Sequence, residues 1–130
     1  MSNVVFFSFK EEDRGVVLTI KGRAVNPAYY SLNFKVQDLL KRWNTESEST
    51  IKQAISKTLK GTSRTIVFVG NETYSSYWVP IEVQMTLDAD KPVYAIRLKG
   101  TRGPIPTCLS RNNIKVYEWS EANLQALATI

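Results

Sequence analysis

The chain has 130 residues, enough for one domain around a single core. It carries a formal charge of +5, one cysteine and no histidine. The missing histidine excludes His-based acid–base catalysis, His-containing triads and the usual zinc sites. The lone Cys108 excludes a disulfide within the chain and fits a cytoplasmic setting. No apolar stretch is long enough to span a bilayer, and Met1–Phe7 lacks the basic flank and the cleavage site of a signal peptide. The surplus of Lys and Arg favours anionic partners. It is spread along the chain rather than gathered into a nucleic-acid arm, and ordinary solubility accounts for it equally well.

The pattern predicts a first strand over Val4–Phe9, apolar on both faces as a central parallel strand is. Lys10–Gly15 is a charged turn. Val16–Lys21 is ambiguous: its β-branched residues favour a strand, whereas a parallel sheet requires a crossover helix here, with Asp13 as its cap. Gly22–Tyr30 contains Pro27 and reads as a loop. Leu32, Phe34 and Val36 alternate with polar residues as a strand does, and 38–48 reads mainly as a loop around Leu39, Leu40 and Trp43. Ser49 or Thr50 then caps a helix whose Ile51, Ala54, Ile55, Thr58 and Leu59 share one face, with Gly61 as its stop.

Thr65–Val69 is a solid apolar run and reads as a buried strand, ended by Gly70. Ser75 or Ser76 caps the next helix, and Pro80 is tolerable only in its first turn, where the missing N–H has no partner. Trp78, Ile81, Met85 and Leu87 are its expected inward residues, and it ends near Asp88–Asp90. Pro92–Leu98 is a strand, Gly100–Asn113 a long loop, and Ile114–Trp119 a last strand. Ser120 caps a closing helix with Leu124, Leu127 and Ile130 on one side. Alternating strands and helices argue an α/β fold of three layers, with a central parallel five-stranded sheet in flavodoxin-like order.

Common nucleotide signatures are missing: there is no phosphate loop and no Gly-x-Gly-x-x-Gly fingerprint. A nucleophile elbow is also absent. A receiver-type phospho-acceptor is rejected, because the third strand ends in Gly70-Asn71 rather than Asp. What remains is one carboxylate with aromatic company. Glu82 follows Trp78 by four residues and projects from the same helix face. The carboxyl ends of neighbouring strands bring Phe7–Lys10 towards Ser75–Glu82, on the edge where such folds bind ligands. Each residue has a bland reading too: Glu82 as an exposed partner of the helix dipole, Trp78 and Trp43 as core or rim, Ser75 and Ser76 as caps, Asp13–Arg14 as a surface pair or cap of little worth.

At these residues the sequence resembles the bacterial TIR-like family, closest to the TIR proteins of Thoeris anti-phage defence. The resemblance rests on Val5-Phe6-Phe7-Ser8-Phe9 with Asp13-Arg14, on Val67–Thr73 followed by Ser76-Tyr77-Trp78-Val79 and Glu82, and on Val116-Tyr117-Glu118-Trp119. It spans most of residues 4–99, so that the chain is identified as a single TIR-like domain over 1–130. The segment 38–43 stands where the family has a variable loop, and Pro80 departs from the family pattern.

The resemblance implies the flavodoxin-like sheet and an enzyme that cleaves the nicotinamide–ribose bond of NAD, a hydrolase or ADP-ribosyl cyclase. Glu82 is then catalytic, and Phe7, Ser8, Phe9, Lys10, Arg14, Trp43, Ser76 and Trp78 bind substrate. NAD is substrate rather than cofactor, and no metal is needed. The product is an ADP-ribose-derived signal, cyclic or not, read by a separate effector protein. Self-association and a phage-derived activator belong to the same implication; a membrane and nucleic acid do not. A non-catalytic interaction domain is the alternative, and a basic nucleic-acid module the weakest of the three.

Overall fold

Arg64–Val69 forms a strand buried at every position, and its Ile66–Val69 run has no polar face, as befits a parallel sheet covered by helices on both sides. In the computed structural model of the chain, residues 4–25, 35–37 and 47–130 are described. The strands are β1 (Val4–Ser8), β2 (Lys35–Gln37), β3 (Arg64–Val69), β4 (Val93–Arg97) and β5 (Val116–Tyr117). The helices between and after them are α1 (Arg14–Val25), α2 (Glu48–Lys60), α3 (Trp78–Asp88), α4 (Thr107–Arg111) and α5 (Glu121–Thr129). All strand pairs are parallel, in the order β2-β1-β3-β4-β5. The fold class is the one expected.

Side-chain alternation along the strands sorts the core into two faces. Val5, Phe7, Ile66, Phe68 and Ile96 pack against Val17 and Ile20 of α1 and Leu124, Leu127 and Ala128 of α5. On the other face, Val67, Val69 and Ala95 meet Val79 and Val83 of α3 and Cys108 and Leu109 of α4. Phe6 meets Ile51, Ile55 and Leu59 of α2 on that second face, with Trp78 and Met85 of α3 against the edge of the cluster. Ser8 follows Phe6 on the α3 side, so the end of β1 points a hydroxyl into the helix layer.

Several expectations need correction. Val16–Lys21 is helix, the side of the ambiguity that the crossover requirement favoured over β propensity, but α1 runs on to Val25 through part of the expected loop. Asp13 is no cap: it closes a single 3-10 turn, Glu11–Asp13, just before α1. Residues 26–34 and 38–46, with Pro27, Leu32, Phe34, Leu39, Leu40 and Trp43, lie outside the described residues. The cap of α2 is Ser47, whose Oγ accepts from Thr50 N at 3.2 Å, earlier than Ser49 or Thr50. The expected loop 100–113 contains α4, which supplies the crossover between β4 and β5 and buries Cys108 and Leu109. The last strand is only Val116–Tyr117. Ser120 does cap α5, accepting from Asn123 N at 2.9 Å. Its buried residues are Leu124, Leu127 and Ala128, while Ile130 is 67% exposed.

On α3 the buried residues are Val79, Glu82, Val83 and Thr86. Trp78, Ile81, Met85 and Leu87 are half-buried instead. The helix has the sheet on one side and α2 on the other, so its apolar residues are shared between two contacts rather than gathered in one stripe.

The loops at the carboxyl end of the sheet pack backbone on backbone. Asn71 Oδ1 accepts from Arg102 N at 2.8 Å, and the carbonyl of Gly103 accepts from Arg97 Nη1 at 2.9 Å. A Cβ on Gly103 would collide with the carbonyls of Gly70 and Asn71. Gly103→Ala is therefore expected to cost about 1–3 kcal/mol, since backbone atoms cannot step aside as a side chain can. Gly15→Ala, in open space within α1, is expected to be neutral or to stabilise by up to about 1 kcal/mol. Urea unfolding of the two variants side by side checks this; equal losses would contradict it.

Candidate active site

The site is built where β1 and β3 end. Ser8 lies beside Val67 in the parallel ladder. Two residues past Val67, β3 stops and the chain turns at Gly70, whose N–H is bonded to Thr73 Oγ1 at 2.8 Å. A 3-10 turn over Thr73–Ser75 then leads into α3. Ser76 Oγ accepts from Val79 N at 3.1 Å and so caps the helix through its side chain. Pro80 falls within the first turn, where no intrahelical N–H bond is lost. This geometry fixes the start of α3 and sets Glu82 one turn in, on the sheet side.

Glu82 is buried, with 9% of its surface exposed, and is not the solvated rim residue of the bland reading. Its Oε1 accepts from Ser8 Oγ at 2.7 Å, and Ser8 is wholly buried. Burial pushes the Glu82 carboxyl up to about 8, and the Ser8 bond works against that by favouring the charged form. The backbone beneath is also tied down. Thr86 Oγ1 donates to the Glu82 carbonyl at 2.7 Å and lies 2.7 Å from Thr65 Oγ1 of β3. A hydroxyl has one proton, so Thr65 is the donor of the second bond. The chain Thr65–Thr86–Glu82 locks the register of α3 on β3.

The other residues singled out in the sequence divide. Lys10 ties the end of β1 to the turn before α3: its Nζ donates to Ser75 Oγ at 2.9 Å and pairs with Glu12 at 3.2 Å. Ser76 is the cap just described. Trp78 is half-buried between the α2 cluster and the ring of Tyr77, which it meets edge-on at 5.2 Å. Arg14 pairs with Glu11 at 3.6 Å, on the turn before α1. Phe7 is not brought to the site: its side chain points to the opposite face of the sheet and packs edge-on against Phe68 at 4.6 Å. Phe9 is half-buried against that same opposite cluster. Trp43 lies outside the described residues.

Two features escaped the reading of the sequence. Asp13 lies over Gly70, so closely that a Cβ there would strike its carboxyl group. Asp13 Oδ2 is buried without a hydrogen bond among the described residues, and burial, with Glu12 nearby, raises its pKa against the pull of Lys10. The signal was a glycine ending a strand, which marks close approach as well as a turn. Second, the Tyr77 hydroxyl bonds Glu48, joining the start of α3 to the first turn of α2. Nothing in the spacing of two residues so far apart announces that pair.

The family model described as Thoeris protein ThsB, TIR-like domain, matches residues 6–103, a span that includes both Ser8 and Glu82. Among solved structures, the chain is similar to the TIR domain of the Toll-related receptor TRR-2 from Hydra magnipapillata, at 16% identity and a TM-score of 0.58. That likeness covers 95% of this chain and 90% of the other, and it concerns the fold. No curated protein sequence matches. Among the described residues, no helix is long and apolar enough to cross a membrane.

The raised Glu82 carboxyl has a thermodynamic consequence. Between the ordinary value of 4.5 and about 8, the unfolded chain has lost this proton while the folded protein keeps it. Stability from this group is therefore full below about 4.5 and declines as pH rises towards about 8, by roughly 3–5 kcal/mol at most. Glu82→Gln imitates the protonated acid and is expected to abolish that decline, making the variant the more stable protein above pH ~8. Urea titrations of both proteins across this range measure the difference; parallel pH profiles would show that Glu82 ionises freely in the fold.

Proposed function

This chain belongs to the TIR-like domain family of Thoeris protein ThsB, and on that premise we propose that it cleaves the nicotinamide–ribose bond of NAD to make an ADP-ribose-derived signal in anti-phage defence. The observation that carries the reading is the buried Glu82 carboxyl on the helix entering from the carboxyl edge of β3, hydrogen-bonded to Ser8 at the end of β1. A carboxyl group in a water-poor site at the ligand-binding edge of a parallel sheet is placed to meet developing positive charge once it is ionised.

The chemistry matches a protein without histidine. The bond between the ribose anomeric carbon and the pyridinium nitrogen breaks, and its electron pair leaves with nicotinamide. That leaving group departs neutral and needs no general acid. The ribose becomes oxocarbenium-like, as in glycoside cleavage. Glu82 as a carboxylate stabilises that charge in a site of low dielectric, where the attraction is stronger than in water. Attack by water gives ADP-ribose with loss of a proton, and attack by a nitrogen of the adenine base gives a cyclic product. Trp78 offers a face for the nicotinamide ring. Lys10, and Arg14 from the following turn, offer charge to the pyrophosphate. The nucleotide product then acts on a separate effector protein.

Ionisation of Glu82 is coupled to substrate. In the free protein the carboxyl is neutral below about pH 8, and a pyridinium cation beside it favours the carboxylate. The neutral state of the buried carboxyl fits a protein that is dormant until a phage-derived component or self-association favours the carboxylate. This is also the one observation in favour of the second reading, an assembly domain that works without catalysis.

The test is incubation with NAD, with and without lysate from phage-infected cells, followed by mass spectrometry of nicotinamide and ADP-ribose-sized products. Wild type is expected to release nicotinamide when activated, and Glu82→Gln to lose about 100-fold or more of that rate while staying folded. kcat/KM is expected to rise with pH along a limb with its midpoint near 8. A folded Glu82→Gln protein that still cleaves NAD at the wild-type rate would sink the assignment and leave the assembly reading.

A further inference from the structure

We propose that Ser8 is a positioning residue for the Glu82 carboxyl group rather than a substrate contact: its Oγ, 2.7 Å from Oε1, anchors one carboxyl oxygen and leaves the other to face the reacting ribose. The inference rests on the reading of Glu82 given above and assigns Ser8 a different place in it.

Three observations carry it. Ser8 is wholly buried, so no surface of it is offered to a ligand. Its single hydroxyl proton is committed to Oε1, and a bond to substrate would require giving that up. Oε2 has no hydrogen bond to the described residues and is not among their fully buried unpartnered atoms, so the exposure that Glu82 retains is open to this oxygen. The anchor itself is rigid. Ser8 ends a strand held between two neighbours, and the following residue of the pair, Glu82, is held by the Thr65–Thr86 chain below it. A carboxyl fixed at one oxygen needs no reorganisation when charge develops opposite the other.

Among the described residues, no charged side chain competes for this role. Burial and the Ser8 bond are the forces acting on Glu82. On the elements around it, Lys10 is engaged by Ser75 and Glu12, Glu48 by Tyr77, Arg64 by the Leu127 carbonyl and Arg97 by the Gly103 carbonyl. The lysines of α2 are exposed, and Arg111 of α4 acts on Cys108. Among the described residues, Ser8 is thus the side chain that draws the carboxyl towards ionisation against its burial.

The decisive measurement does not need activity. Carbon-13 NMR of the side-chain carboxyls in the substrate-free protein follows the Glu82 titration, assigned by its loss in Glu82→Gln. A hydrogen bond to a charged acceptor predicts that Ser8→Ala raises the Glu82 midpoint by about one to two pH units. Ser8→Thr, which keeps the hydroxyl, is expected to return it close to the wild-type value. In the activated enzyme, Ser8→Ala should lower kcat/KM at pH ~7 by about 10- to 100-fold, recover towards high pH, and leave KM for NAD little changed. An unmoved Glu82 midpoint in folded Ser8→Ala overturns the proposal. So does a raised KM with an unmoved midpoint, which would make Ser8 a substrate contact. If activated wild type cleaves no NAD, the NAD reading fails by itself, and the carboxyl titration still decides the part played by Ser8.

Discussion

One carboxyl group in the wrong solvent sets the terms for the rest of this protein. Glu82 is bonded to Ser8 across 74 positions of sequence. Burying an unpaired charge is costly enough that a carboxyl stays neutral instead. That is the state Glu82 takes in the free fold up to about pH 8. The apolar packing of the layer it sits in, with Val79 and Val83 on its own helix and Phe6 on β1, leaves the group little contact with water. The same packing keeps the carboxyl in readiness, because the first cation to arrive meets little dielectric screening. Stability and reactivity are therefore opposed at this residue, and the hydroxyl of Ser8 is the one compensation the described residues supply.

Holding that group in place takes more than the hydrogen bond. The helix carrying it is fixed in register by Thr86 and Thr65 and in direction by the Ser76 cap. The turn before it is wedged at Gly70, with the Asp13 carboxyl on one side and Gly103 on the other. Three loops, following β1, β3 and β4, thus meet at a residue without a side chain. At the opposite end of the sheet, cations cap helices instead of binding anions. Arg64 donates to the Leu127 carbonyl near the end of α5, and Lys91 bonds the carbonyls of Leu59 and Thr62 at the end of α2. Such contacts satisfy last-turn carbonyls and complement the helix dipole. Part of the positive charge that suggested anionic partners is in this way consumed by the protein's own backbone.

The sheet was legible in the sequence because its signals are local. Val4–Phe7 and Ile66–Val69 are unbroken apolar runs; the charged stretch from Lys10 follows soon after the first and Gly70 ends the second. Parallel direction followed from alternation with helices, since parallel neighbours need crossovers, and the flavodoxin-like order from a first strand apolar on both faces and so central. What failed was whatever depends on a partner far away. α4 hid in a segment rich in glycine and proline, because a helix of so few residues has no periodicity to read and is held by the packing of Cys108 and Leu109. Phe7 sits next to Ser8 but faces the other side of the sheet, as alternation along a strand dictates. Naming both as substrate residues followed proximity in sequence where side-chain direction was the better guide. The Asp13–Gly70 contact is invisible for the same reason as Tyr77–Glu48: each joins two loops or helix ends whose meeting only the fold decides.

Glu82 shows where a stronger rule was available. Spacing from Trp78 and position in a first turn suggested an exposed partner of the helix dipole. The segment Trp78–Leu87 nevertheless carries apolar residues on several sides, with Val79, Ile81, Val83 and Met85 all close to Glu82 in sequence. A helix apolar around most of its circumference is flanked by structure on more than one side. A polar side chain there is buried or exposed according to its face: Gln84 is exposed and Glu82 is buried. It shares its face with Val79, three residues before, and Thr86, four residues after, both of them buried. The face of the helix, rather than the residue's distance from the cap, thus already pointed to a buried titratable group at the ligand-binding edge of the sheet.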